Sequence, residues 1–209
     1  MTNDKSAAAK ARSARTRVRP ITPSDWNVVE QLFGARGACG GCWCMYWRVR
    51  GGKIWDAQKG DGNRRAFKQL IERGAVTGSI AFCGDEPVGW CCIGPKQDFL
   101  RLAKSRVLAT DAAPRTWAVT CFYIPAKWRN RGVASALLRD VVKLARARGA
   151  DELEGYPIVA SQGGDTAIPA AFAWTGVPTI FERNGFTRMT RPAGMRPIYL
   201  RQLRRRVNR

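Results

Sequence analysis

The chain has 209 residues, 45% of them hydrophobic with eight Trp and eight Phe, which is enough for one well-buried domain and too apolar for a disordered chain. It contains no run of about 18 apolar residues to span a bilayer, and its basic, Ala-rich start lacks the apolar segment of a secretory leader, so a soluble cytoplasmic protein without a membrane partner is expected. The formal charge of +20, from 36 Lys and Arg against 16 Asp and Glu, exceeds what a small ligand site requires and points either to a polyanionic partner or to a basic surface kept for solubility.

Residues 1–17 hold Ala, Ser, Lys and Arg without apolar periodicity and read as a disordered basic arm. Residues 18–21 open the fold as a short strand. Thr22-Pro23-Ser24-Asp25 carries helix-start chemistry, and Trp26, Val28, Val29, Leu32 and Phe33 form the apolar face of a first helix. Residues 37–47, rich in Gly, Cys and aromatic side chains, match neither an amphipathic helix nor a polar loop, and either line a pocket or plug the core. Their Cys39-x-x-Cys42-x-Cys44 has no second ligand pair, and the chain has no histidine, so no metal is expected. The seven cysteines, an odd count in strand-like or aromatic contexts, fit reduced thiols. Residues 50–62 read as a glycine-punctuated basic loop, and residues 64–73 as a second helix burying Phe67, Leu70 and Ile71. Two strand-like runs, 79–83 and 88–93, flank Gly84-Asp85-Glu86-Pro87, a hairpin signal. A mixed insert with a short helix spans 95–107, and 111–114 is a break.

Residues 116–158 form the centre of the chain. A strand over 116–124 leads into the basic turn Arg129-Asn130-Arg131-Gly132-Val133-Ala134. Val133, Leu137, Leu138, Val141, Val142, Leu144 and Ala145 then recur at helical spacing, and a second strand covers 153–158. This is a βαβ unit. Gly132 lets a ligand approach the backbone, and Ala134 keeps the helix near the turn. Unpaired N–H groups and the positive end of the helix dipole, beside Arg129 and Arg131, suit a pyrophosphate. Beyond it come a Gly/Ala-rich loop (159–175), a last helix (175–182), strands over 186–190 and 196–200, and a basic tail. The two chain ends, residues 1–20 and 188–209, supply five and eight of the twenty excess charges.

The turn from Arg129 to Ala134 resembles motif A of the GNAT superfamily of N-acyltransferases, whose pattern after a strand is Arg/Gln-x-x-Gly-x-Gly/Ala. Ile124 stands eight residues before Gly132, and Trp128 precedes the arginine. Val88-Gly89-Trp90 and Phe181-Glu182-Arg183-Asn184-Gly185-Phe186 are similar to the family's neighbouring segments, and Cys42-Trp43-Cys44-Met45 resembles a bacterial branch of it. The resemblance implies an α+β (α/β/α) fold, a mixed central sheet of about six to seven strands with helices on both faces. It implies a single domain over 18–200, between the arm 1–17 and a tail 201–209, as a monomer or homodimer. It also implies acetyl-CoA or another acyl-CoA as donor, with pantetheine along Phe122 and Ile124 and the pyrophosphate on Arg129, Asn130, Arg131, Gly132, Val133 and Ala134. The acceptor is then a small-molecule or protein amine, walled by the first helix and its loop.

Amide formation needs a neutral amine, a polarised carbonyl and a proton for the leaving group. Glu154 and Tyr156 alternate on one face of the second strand, and with Tyr123 they are the catalytic candidates. The family's leaving-group acid is a tyrosine four residues before the glycine of Gly-Phe, and here that residue is Phe181. A phenyl ring donates no proton. Either Tyr156, Tyr123 or water replaces it, or the leaving group differs. The alternative donor is aminoacyl-tRNA, held through the basic ends; a non-catalytic RNA-binding protein on the same scaffold is the third reading.

Overall fold

Strands in the middle of this chain are buried along nearly their whole length rather than at alternate residues, which is what a sheet covered on both faces requires. In the computed structural model, which describes residues 16–159, 173–192 and 196–204, the sheet has seven strands. They are β1 (Arg17–Pro20), β2 (Thr77–Cys83), β3 (Glu86–Pro95), β4 (Thr116–Tyr123), β5 (Glu152–Gly155), β6 (Thr187–Arg188) and β7 (Tyr199–Gln202). Their order is β1-β2-β3-β4-β5-β7-β6. Every neighbouring pair is antiparallel except β4 and β5, which run parallel. The helices are α1 (Trp26–Phe33), α2 (Lys53–Gln58), α3 (Asp61–Glu72), α4 (Leu100–Ala103), α5 (Val133–Ala147) and α6 (Pro178–Arg183).

The two faces of the sheet bury separate cores. On one, Phe33 of α1 and Phe67 and Ile71 of α3 pack with Trp90 of β3. Phe33 stacks on Phe67 at 6.2 Å and meets Trp90 edge-on at 6.3 Å. On the other, Leu137, Leu138 and Val141 of α5 lie against Val88, Ile93 and Leu153, with Phe181 beside them. Helices on both faces of a mixed seven-stranded sheet are the expected architecture.

One polar junction fixes how α1 leaves β1. Asp25, buried at the helix start, accepts two hydrogen bonds from the Arg19 guanidinium (2.7 and 2.6 Å) and two from the Thr22 N–H and hydroxyl (2.7 and 2.8 Å). The Arg19 hydrogen bonds, and after them those from Thr22, outweigh burial and hold the Asp25 carboxyl down at about 2.

The structure corrects several sequence-based boundaries. Helix α2 lies inside the expected loop 50–62; it is six residues long, too short to show a helical period. Strand β5 stops at Gly155, because its pairing with β4 stops there. Pairing and packing also reach residues on either side of the expected span 18–200. Arg17 pairs with Phe82 in the β1–β2 ladder. Leu203 is buried, and its N–H donates to the Asp151 carbonyl at 2.8 Å. Residues 1–15 of the arm, 160–172 of the Gly/Ala-rich loop, 193–195, and 205–209 of the tail lie outside the described residues. Among the described residues no helix is long and apolar enough to cross a membrane.

Candidate active site

The parallel ladder runs only from Thr116 opposite Glu152 to Val119 opposite Gly155. Strand β4 continues to Tyr123, paired on its other side with β3. Beyond Val119 one edge of β4 therefore faces a cleft. A wedge of aromatic rings stands at the point of divergence. Phe181 of α6 is fully buried and packs with Phe122 (6.2 Å), Phe186 (5.2 Å) and Tyr199 (6.1 Å). Its ring occupies the space a side chain at Gly155 would need, since a Cβ built there would lie 2.1 Å from it. The position that carries a tyrosine acid in the resemblance thus holds a phenyl ring used for packing.

At the far end of β4 a short turn (Ala126–Trp128) precedes two residues in the left-handed region, Asn130 at φ 57° and Gly132 at φ 79°. These are the residue types that adopt that conformation most readily. They turn the chain into α5 at Val133, and no side chain caps the helix start. The N–H groups of its first turn are left for a ligand. Arg129 is positioned by its Nε, which donates to the Ile124 carbonyl at 3.0 Å.

A cavity of about 640 Å³ follows this path. Of the residues expected to hold the donor, Phe122, Ile124, Arg129, Asn130, Gly132, Val133 and Ala134 line it. Arg131 does not, and its guanidinium lies 5.2 Å from the Trp128 ring centroid instead. Arg183 of α6 lines the cavity and escaped sequence reasoning; the only signal for it was a cation in the last turn of a short helix.

A second cavity of about 330 Å³ opens from the first around Phe122, Tyr123, Cys39 and Trp174, residues that line both. Its walls include Phe33, Tyr46 and Trp55, with Cys42, Cys44 and Cys121. The Gly/Cys/aromatic segment 37–47 therefore does both things expected of it. Cys39, Cys42, Cys44 and Tyr46 line the cavity, while Trp43, Met45 and Trp47 are buried in the core. The backbone achieves this with left-handed residues at Ala38, Trp43 and Cys44. The Trp47 indole N–H donates to the Thr120 carbonyl at 3.0 Å, satisfying a buried acceptor of β4. The Cys44 and Cys92 thiols are pushed well above their ordinary values, Cys44 first by its contact with Cys121 and Cys92 first by its contact with Cys44. Burial adds to both, so they stay protonated and inert. Among the described residues no group of His, Cys, Asp or Glu is arranged to hold a metal ion.

The three expected catalytic residues fall in two environments. Tyr123 lies at the junction of the cavities, and burial raises its phenol above the ordinary value. Glu154 and Tyr156 share one strand face as expected, but that face is covered. Glu154 is 1% exposed; it pairs with Lys96 at 2.9 Å and accepts from the Thr110 hydroxyl at 2.7 Å and the Tyr156 hydroxyl at 2.6 Å. Tyr156 has no exposed surface, and burial, then the adjacent Glu154, pushes its phenol well above the usual range. Neither residue is among the described residues that line these two cavities.

The profile of the acetyltransferase (GNAT) family matches residues 45–159, more than half of the chain. No curated protein matches the sequence. Among solved structures, the chain superposes on the PaiA N-acetyltransferase of Thermoplasma acidophilum in complex with coenzyme A, with a TM-score of 0.51 at 13% identity over 90% of this chain and 99% of that one. The GNAT family N-acetyltransferase YhbS of Escherichia coli, in complex with CoA, gives 0.52 at 13% identity over 92% and 83%. An N-acetyltransferase of Staphylococcus aureus gives 0.51 at 14% identity over 91% and 99%. At these identities the superpositions speak for the fold. With the family profile spanning the turn, the strand that ends at the cleft and the helix that starts from it, the chain belongs to the acetyltransferase (GNAT) family.

Proposed function

We propose that the protein transfers an acetyl group from acetyl-CoA to an amine, forming an amide and releasing the CoA thiol. The observation that carries this reading is the continuous cavity from the open edge of β4 to the uncapped start of α5, with Arg129 and Arg183 in its lining. A pantetheine arm can hydrogen-bond along such an edge, and a pyrophosphate suits a helix start flanked by guanidinium groups. The complexes of the Thermoplasma and Escherichia coli proteins with coenzyme A support the choice of donor.

In the reaction the amine nitrogen bonds to the thioester carbonyl carbon, the carbon–sulfur bond breaks, and the nitrogen loses a proton while the sulfur gains one. With Phe181 buried and Glu154 and Tyr156 committed to each other, we assign the proton for the sulfur to Tyr123. Its raised phenol is a donor at neutral pH rather than a base. Lys96, Thr110, Glu154 and Tyr156 form the polar floor beneath the strand ends. No feature of the described residues singles out an aminoacyl-tRNA donor. Arg17, Arg19, Arg191, Arg196 and Arg201, from the basic ends that prompted that reading, are engaged within the domain.

Substituting Tyr123→Phe tests the assignment. Turnover of acetyl-CoA is expected to fall on the order of 10²-fold with donor binding unchanged. Equal turnover in the variant removes Tyr123 from the mechanism.

A further inference from the structure

The second cavity defines what can accept the acetyl group. Its walls are aromatic: Phe33, Tyr46, Trp55 and Trp174 surround it, with Tyr123 at its inner end. Among the described residues no carboxylate lines it or the donor cavity, and the chain has no histidine. The nearby Glu154 is buried and already bound to Lys96 and Tyr156. Among the described residues the site therefore has neither a carboxylate counter-ion for an ammonium nor a carboxylate or imidazole base to deprotonate one.

Its surroundings are also positive. The Arg101 guanidinium lies 4.1 Å from the Tyr46 ring centroid and 5.5 Å from that of Trp55, so each of these rings already has a cation over one face. Arg101 makes no ion pair among the described residues, and its Nε is buried without a partner. Arg196 is half-buried, interacts electrostatically with Tyr46, and among the described residues donates to the Tyr156 and Pro157 carbonyls and the Thr175 hydroxyl. Lys59 stands exposed at the rim, with no ion pair among the described residues. A cationic amine entering here would lose its hydration and meet like charge.

We propose that the acceptor is a small aromatic amine that is uncharged at neutral pH, its amino nitrogen conjugated with the ring, and tolerating an acidic substituent directed at Lys59. Conjugation lowers the basicity of such a nitrogen, so it is unprotonated at neutral pH and needs no base before it attacks, and its ring stacks against Tyr46, Trp55 and Trp174. The cavity volume lies near the lower limit for ligand pockets, roughly 300 Å³, which suits one ring rather than a peptide or polyamine. The proposal rests on the acetyl-transfer reading for its chemistry, while the binding it describes can be read without the donor.

The probes are 4-aminobenzoate, phenethylamine and spermidine. Each is titrated calorimetrically into the full chain without donor, and then offered with acetyl-CoA while acetylated product is followed by mass. 4-Aminobenzoate is expected to bind at least about tenfold more tightly than the other two, and its acetylation rate to stay level from pH 6 to 9. The rate with phenethylamine should climb about tenfold per pH unit as its neutral fraction grows. Lys59→Glu, an exposed change, should reverse the binding preference toward phenethylamine by about tenfold. Tighter binding of spermidine or phenethylamine by the unaltered chain overturns the proposal, as does an arylamine rate as steep in pH as the alkylamine rate. Binding of 4-aminobenzoate without consumption of acetyl-CoA sinks the donor reading and leaves the pocket's ligand class standing.

Discussion

Gly155→Ala is a one-methyl change whose cost can be worked out from the wedge between β4 and β5. The new Cβ would lie 2.1, 2.6 and 2.6 Å from three atoms of the Phe181 ring. Comfortable carbon–carbon contact is roughly 3.5–4.0 Å, so the ring must retreat by more than about 1 Å. It has little room to do so, since Phe122, Phe186 and Tyr199 pack around it and the residue has no exposed surface. Overpacking of this kind costs about 1–3 kcal/mol. At about 2–4 °C per kcal/mol for a domain of this size, the melting temperature should fall by roughly 2–12 °C. Urea unfolding at constant pH measures the loss. Phe181→Ala alone should cost about 3–5 kcal/mol by leaving a cavity. In the double variant the added methyl no longer clashes, so the two costs should add to less than their sum by more than about 1 kcal/mol. Strict additivity, or a Gly155→Ala protein as stable as the parent, would show that Phe181 does not fill the space beside Gly155.

The Arg19–Asp25 pair makes stability depend on pH with a defined sign. The Asp25 carboxyl is held down at about 2, so its contribution of about 2 kcal/mol is present above the unfolded value near 4 and is lost as pH falls through about 2. Asp25→Asn should lower stability at pH 7 and flatten the curve between pH 4 and 2; an unchanged acid limb in urea unfolding would contradict the pairing. Tyr156→Phe should cost about 1–3 kcal/mol, because it removes a donor from buried Glu154, yet leave turnover within a few-fold of the parent. A loss of turnover on the order of 10²-fold at unchanged stability would instead return Tyr156 to the catalytic step.

The central βαβ unit was legible because its signals are local and periodic: helical spacing from Val133 to Ala145, a glycine at the turn, and strands on either side. The hairpin over β2 and β3 was legible for the same reason. What escaped depends on neighbours distant in the chain. Alternation placed Glu154 and Tyr156 on one face, but periodicity does not say whether that face is open, and here Lys96 and Thr110 cover it from the β3–β4 connection. At position 181 only a missing hydroxyl was visible; that the ring fills the gap beside Gly155 depends on four elements meeting. The C-terminal arginines read as a charge run free to meet a polyanion. In the fold Arg191 reaches the Ala109 carbonyl, Arg196 the Tyr156 carbonyl and Arg201 the Asn184 carbonyl, contacts that depend on packing rather than on charge density. Helix α2 was missed because six residues show no period, although its Trp55 lines the second cavity.

The most direct test of the donor site is a calorimetric titration of CoA into the full chain and into a variant with Arg129→Ala and Arg183→Ala. Both side chains lie along the cavity at the start of α5, and neither is buried in the core. The unaltered protein should bind CoA at one site. The variant should keep its melting temperature while losing roughly 2–4 kcal/mol of binding free energy, about 30-fold to 1,000-fold in Kd. Absence of binding heat with the unaltered chain, or equal affinity in the variant, would contradict a pyrophosphate seat at this helix start.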